Sequence, residues 1–292
     1  MPEQKRIITH NGQFHTDDVC AVATLMLVFG KDQVTIHRTR DKQEIVKGDI
    51  VVDVGGIYDE EALRFDHHQC DGSGARENGI PYASFGLVWK AFGVQICGTE
   101  AVAKRLDEKL VQPVDAVDNG VSISSPVIDG IYQFTIVDFF QSYQGLGKIN
   151  DEAFLEAVDA ACDLISREIL RIKNNLLLEQ ELESIYYESE DKEIIIASKY
   201  YPWKALIDKP EPKFFVYPDE ANGNWMAKAV PERHNSFSIR KPFPLSWAGK
   251  CDEDLEQESG VMGAVFCHNK RFIVAAKSRD AALELAHKAL LT

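Results

Sequence analysis

The sequence predicts an α/β protein: an N-terminal domain on a parallel sheet, then a smaller α+β domain. Three observations predict it. In the first half, short and nearly continuous apolar runs (6–10, 34–39 and 49–54) alternate with helical patterns, as strands covered on both faces do. One long amphipathic pattern then extends from Asp151 to about Glu188. Beyond it, strand-like runs follow each other with little helix between them. A chain of 292 residues suits about two domains. The charged stretch 188–193 marks the expected boundary, giving domains 1–188 and 189–292.

The elements follow in order. Arg6 to His10 reads as a strand, and a Gly-containing loop follows it. Asp17 to Phe29 is rich in Ala, Val and Leu and predicts a buried helix, with Thr16 or Asp17 as N-cap. Val34 to Thr39 and Asp49 to Val54 are strands, the second ended by Gly55-Gly56. Ser84 to Phe92 is a helix with Ser84 as its N-cap, and Glu100 to Leu110 is a helix closed by Pro113. In the long pattern, Phe154, Val158, Cys162, Ile165, Ile169, Ile172 and Leu176 recur at spacings of three and four. In the second half, 193–197, 214–217 and 225–230 read as strands, and 264–267 and 272–276 form a hairpin around His268 to Arg271. Arg279 to Leu291 closes the sequence as an amphipathic helix.

Composition excludes some functions. A formal charge of -14 and a pI near 5.0 rule out nucleic-acid binding through a general positive field. Any such binding needs a local basic patch or bound cations. The six cysteines at 20, 70, 97, 162, 251 and 267 form no CxxC pair, and Cys20 and Cys162 sit in apolar patterns as buried thiols. That favours a reducing compartment and, with the acidic excess, a soluble cytoplasmic protein. Met1 to Lys5 is neither a signal nor a transit sequence, and no apolar run has membrane-spanning length.

The informative residues are histidines and aspartates. Five of the eight histidines fall within the first 68 residues. Four of them lie in patches at the ends of apolar runs, His10-Asn11-Gly12-Gln13-Phe14-His15-Thr16-Asp17-Asp18 and Asp66-His67-His68, and a third such patch is Val51-Val52-Asp53. A fourth patch is Val114-Asp115-Ala116-Val117-Asp118-Asn119-Gly120. In a parallel sheet, ligands bind outside the carboxyl ends of the strands, where His10 and Asp53 stand. His10, His15 and Asp17 around one strand-to-helix turn suit a cation, Mn²⁺ first, then Zn²⁺ or Fe²⁺. Asp53 could bridge two ions, and His67 and Asp118 could complete the second. His68 is then free to face a substrate phosphate or protonate a leaving oxygen. Each patch alone has an ordinary explanation: Asp17 and Asp18 favour a helix N-terminus, and Asp118-Asn119-Gly120 is a turn signal. Four such patches in this order would need four coincidences.

With these residues the chain resembles the DHH phosphoesterases through Asp66-His67-His68, and more narrowly the Myg-type exonuclease family. The narrower match rests on the His10 to Asp18 patch, Ser84 to Lys90, Val114 to Gly120, Arg240 to Gly249 and Gly260 to His268, which span nearly the whole sequence. The resemblance implies a DHH-like catalytic domain and a 3′-5′ RNA exonuclease using two divalent ions, Mn²⁺ first, with Mg²⁺ or Zn²⁺ as alternatives. His10, His15 and Asp53 would hold one ion; Asp17, Asp53, His67 and Asp118 would hold the other. Asp53 and His68 would be catalytic, and His68, Ser84, Arg240 and Lys241 would meet the substrate. Asp66 would orient a neighbouring histidine. Asp118 is preferred over Asp115 as ligand because it directly precedes Asn119-Gly120. His15 stands where the wider superfamily has an aspartate, which lowers the site's negative charge.

In the second domain, Trp203 to Lys250 holds eight Lys/Arg and five Asp/Glu, locally +3. Arg233, His234, Arg240 and Lys241 cluster there with Phe237, Phe243 and Trp247, a combination that binds phosphates and stacks bases unless the aromatics are core. The expected partner is single-stranded RNA or an oligonucleotide. The rivals are a hydrolase of pyrophosphate or a nucleotide, and a non-catalytic metal-containing RNA-binding protein. The long helix could pack internally or across a homodimer.

Overall fold

The computed structural model describes residues 4–145, 151–234 and 236–292; residues 1–3 of the expected polar N-terminus lie outside them. The chain forms two compact units, Met1–Lys173 and Asn174–Thr292.

In the first unit, β1 (Lys5–Thr9) leads to α1 (Thr16–Phe29), β2 (Val34–Arg38), α2 (Lys42–Val46), β3 (Ile50–Val52), β4 (Tyr58–Asp59) and β5 (Arg64–Phe65). The sheet order is β2-β1-β3-β5-β4. All its pairings are parallel except the short edge strand β4, which runs antiparallel to β5. Ile7, Ile8, Ile50, Val51 and Val52 are buried on both faces, which explains their unbroken apolar run. Ile8 and Val51 pack with Val54 against Ile45 of α2. α1 packs against α3 (Ser84–Cys97), and every residue from Thr16 to Met26 is buried. α4 (Glu100–Leu106), a π-turn over Asp107–Val111 and α5 (Gln112–Asp118) follow, then α6 (Ile136–Gln141).

Pro113 does not close a helix as expected. It opens α5, where its missing N–H costs nothing. Two expected caps also differ. The N-cap of α1 is His15, and that of α3 is Ala83.

The long helix α7 (Asp151–Glu188) has the predicted bounds. The division between units falls inside it rather than at its end, where the boundary was expected. The reason is local: Leu182 and Tyr186 join the core of the second unit, with Leu178 and Ile185 packed on it.

The second unit contains β6 (Ile194–Ile196), α8 (Lys204–Ile207), β7 (Phe214–Pro218), β8 (Trp225–Ala229), α9 (Asp252–Ser259), β9 (Ala264–Cys267), β10 (Ile273–Ala276) and α10 (Arg279–Leu291). Its sheet, ordered β6-β7-β8-β10-β9, is antiparallel apart from β6 with β7. α10 covers one face with Ala282, Leu285, Ala286 and Ala289. Among the described residues, no helix is long and apolar enough to cross a membrane.

Candidate metal centre

The parallel register sets His10 just past β1, Asp53 just past β3 and His67-His68 just past β5, so three carboxyl ends converge. Asp53 carries the geometry furthest. Its backbone lies in the left-handed region at φ 54, a conformation that aspartate tolerates better than most residues and that marks strained functional turns. One carboxylate oxygen lies 3.2 Å from His10 Nε2, and the other 3.4 Å from His67 Nε2 and 3.6 Å from His68 Nδ1. Ser84 Oγ donates to it at 3.1 Å. The two imidazoles and Asp53 shift one another. Burial opposes charge on all three, yet the nearby carboxylates of Asp18 and Asp53 push His10 up to about 10. Asp118 and Asp53 likewise push His67 up to about 11, while His10 and His67 hold Asp53 below the usual carboxylate range.

Asp17 explains why α3 begins where it does. Its two oxygens accept from the backbone N–H groups of Ser84 (3.1 Å) and Phe85 (2.7 Å). The carboxylate of α1 therefore caps α3, and the Ser84 hydroxyl is released to Asp53. Fully buried among Asp118, Asp53 and Asp115, Asp17 has its pKa raised well above the ordinary value, by burial first and those charges second.

Three clusters have ligand atoms close enough to share an ion: His10 with His15 and Asp53, Asp53 with His67 and His68, and Asp17 with His67 and Asp118. His67 Nε2 lies 3.2 Å from Asp118 and His15 Nδ1 lies 4.0 Å from it. Ions bound at about 2.0–2.2 Å hold neighbouring ligand atoms roughly 3.0–3.5 Å apart. Two buried atoms are in keeping with a cation site: His67 Nε2 and Asp18 Oδ2 have no hydrogen-bond partner despite charged neighbours. The donor set of imidazoles and carboxylates thus fits divalent ions. A cavity of about 220 Å³ beside it is lined by His15, Asp17, Asp118 and Gln141.

The remaining aspartates have supporting parts. Asp66 accepts from both the backbone N–H and Nδ1 (2.7 Å) of His68 and so fixes that ring. Asp115, left open beside Asp118 by sequence, is turned away from the clusters. It pairs with Arg76 at 2.6 Å and accepts from Gly86 N at 3.0 Å. Burial pushes it up to about 7.

Sequence reasoning missed three residues. Asp18 is buried 3.0 Å from His10 Nε2. Arg38 donates to the carbonyls of His10 and Gly12 and fixes the turn. Arg76 holds Asp115 and Asp107. Asp18 had a signal, its place beside Asp17 in the first patch; the arginines had none, because only folding gives them partners.

Two expected substrate contacts are corrected. Ser84 is wholly buried and its hydroxyl is spent on Asp53, so it is not exposed to a substrate. Arg240 donates to the carbonyls of Leu206, Ile207, Lys209 and Pro212, so it braces backbone instead of offering a free fork to phosphate. Phe243 and Trp247 are core, and Lys241 is half-buried. Phe237, in contrast, is fully exposed.

A family model for MYG1 exonucleases, described as an uncharacterised protein family (UPF0160), matches residues 6–290. A MYG1 protein of Dictyostelium discoideum is 32% identical over 97% of this chain and 96% of its own length. The MYG1 exonuclease of Homo sapiens is 32% identical over 98% of this chain and 85% of its own. A MYG1 protein of Chlamydia trachomatis is 30% identical over 94% and 93%. With a match from strand β1 to helix α10, the chain belongs to the MYG1 exonuclease family.

Proposed function

We propose that this chain is a metal-dependent phosphodiesterase that shortens single-stranded RNA from its 3′ end, in the cytoplasm, with two Mn²⁺ ions as its preferred cofactor. The observation that carries the chemistry is the sharing of Asp53 between the His10–His15 cluster and the His67–His68 cluster. The exonuclease name of the human relative supports attack at a chain end. RNA and the 3′-5′ direction rest on the family resemblance. Mixed carboxylate and imidazole donors suit Mn²⁺, and six unpaired thiols suit the cytoplasm.

When bound, two ions lower the pKa of a water and neutralise charge developing on the phosphoryl group. The chain's own residues do the rest. His10 directs Nδ1 at the Asn11 carbonyl (3.1 Å) and so presents Nε2 to the site. His15 and His67 flank Asp53, and Asp17 and Asp118 group with His67. His68, tied at Nδ1 to Asp66, leaves its other nitrogen on a side chain 62% exposed. Asp66 raises its pKa, against the effect of burial, and so favours the protonated ring that can give a proton to the leaving oxygen. Lys241 and the exposed Phe237 are the second unit's candidate contacts for phosphate and base.

The test is hydrolysis of a 5′-labelled single-stranded RNA with Mn²⁺, beside a chelator control and an Asp53→Asn control. A ladder of shrinking labelled products, lost in both controls, is expected. Immediate release of labelled mononucleotide would reverse the polarity. No cleavage by folded, metal-loaded protein, with turnover of pyrophosphate or a nucleotide instead, would overturn the RNA assignment.

A further inference from the structure

We propose that the cavity beside the metal centre takes the terminal nucleobase of the substrate, and that Gln141 reads the edge of that base. The cavity, of about 220 Å³, lies within the first unit. Three of its lining residues, His15, Asp17 and Asp118, also belong to the ion-binding clusters. A phosphoryl group held by the ions therefore leaves its nucleoside beside this space. The rest of the lining comes from three helices. Val114, Val117 and Asp118 share one face of α5, at spacings of three and four, and Val137 and Gln141 share one face of α6. Helix α6 is fixed at its start by the reciprocal bonds of Thr135 and Asp138, and by the buried Phe140. Thr16 of α1 is 4% exposed, and its buried hydroxyl has no hydrogen-bond partner among the described residues.

The chemistry of this lining selects its ligand. It holds no lysine or arginine, and the carboxylates of Asp17 and Asp118 repel a phosphate wherever no ion intervenes. The part of the substrate that fits is therefore neutral. Val114, Val117 and Val137 offer apolar contact to the faces of a flat ring. Gln141 is exposed, and its side-chain amide is bonded to nothing among the described residues. An amide presents a donor and an acceptor side by side. That pair matches adenine, whose N6 donates beside an accepting N7. The Thr16 hydroxyl, which donates and accepts, adds a second polar group to the same lining. Drug-sized ligands occupy about 300–1,000 Å³. At about 220 Å³ the cavity admits one base and not a stretch of chain, which suits a chain end.

The inference rests on the exonuclease reading above, and the experiment separates the two. Single-stranded RNAs that differ only in the base at the end attacked are cleaved by the full chain with Mn²⁺, and kcat/KM is compared. The wild type is expected to favour terminal adenine at least about fivefold over the other bases, the smallest discrimination of a bidentate pair. Gln141→Leu is expected to lose that preference while binding Mn²⁺ as the wild type does, measured by electron paramagnetic resonance. Val137→Phe, which fills the cavity, is expected to raise KM at least about tenfold with bound Mn²⁺ again unchanged. A merely structural side chain would not move the ratio between bases. A wild type that cleaves every RNA alike, a Gln141→Leu variant with the wild-type preference, or a folded Val137→Phe variant with the wild-type KM would overturn the inference and leave the exonuclease standing. A wild type that cleaves none of the RNAs would overturn both. Gln141 is an exposed side chain without partners, so its variant decides the matter even where Val137→Phe does not fold.

Discussion

Replacing Gly86 by alanine should loosen the metal centre from behind. A Cβ built at Gly86 would stand 1.8 Å from Asp115 Oδ2, 2.8 Å from its Cγ and 2.9 Å from an Arg76 nitrogen. None of these can yield cheaply, because Asp115 is wholly buried and pinned between Arg76 and the Gly86 N–H. Helix α3 must therefore move away from α5. Overpacking of this kind costs about 1–3 kcal/mol, and a lost backbone bond to a buried carboxylate about 1.5–3. The helix-propensity gain of Gly→Ala offsets about 1 kcal/mol. The net is roughly 2–4 kcal/mol, a fall of roughly 5–15 °C in melting temperature for a unit of this size. Thermal unfolding followed by circular dichroism measures it. Metal affinity should fall too, since the first N–H groups of α3 hold Asp17. A melting temperature unchanged or raised, as propensity alone would give, would refute the reasoning.

Asp53→Asn keeps the left-handed turn and an acceptor for Ser84 but removes the shared charge; hydrolysis should fall at least about 10³-fold, with loss of bound Mn²⁺ measured alongside. Activity within tenfold of wild type would count against a shared carboxylate. His68→Ala should slow turnover about 10²–10⁴-fold while both ions stay bound, read from kcat and metal content together; loss of an ion would make His68 a ligand. Arg240→Ala should destabilise the second unit by roughly 2–4 kcal/mol, because several carbonyls lose their donor. Denaturant titration checks it, and weaker RNA binding by a fully stable variant would restore the phosphate contact expected from sequence.

Much of the centre was legible because its signals are local. Apolar runs ending in His10, Asp53 and His67 announce strand ends, and parallel strands bring their carboxyl ends together. The long helix α7 was legible from its spacing alone, and the terminal helix from its amphipathic pattern. Short elements such as α2, β4 and α6 escaped because five residues or so carry too little periodicity. The cap of α3 was misplaced by a residue for a different reason. Asp17 caps α3 from another helix, and no window of sequence contains that bond.

The sequence by itself determined the two-part α/β architecture and the histidines and aspartates available for chemistry, since periodicity and residue type suffice for both. Tertiary structure alone decided what each side chain does. It spent Arg240 on carbonyls and Ser84 on Asp53, turned Asp115 toward Arg76 and Asp118 toward His67, and exposed Phe237 while burying Phe243. The physical reason is that a charged or polar group takes whichever partner folding brings within about 3 Å, and burial makes that choice costly to reverse.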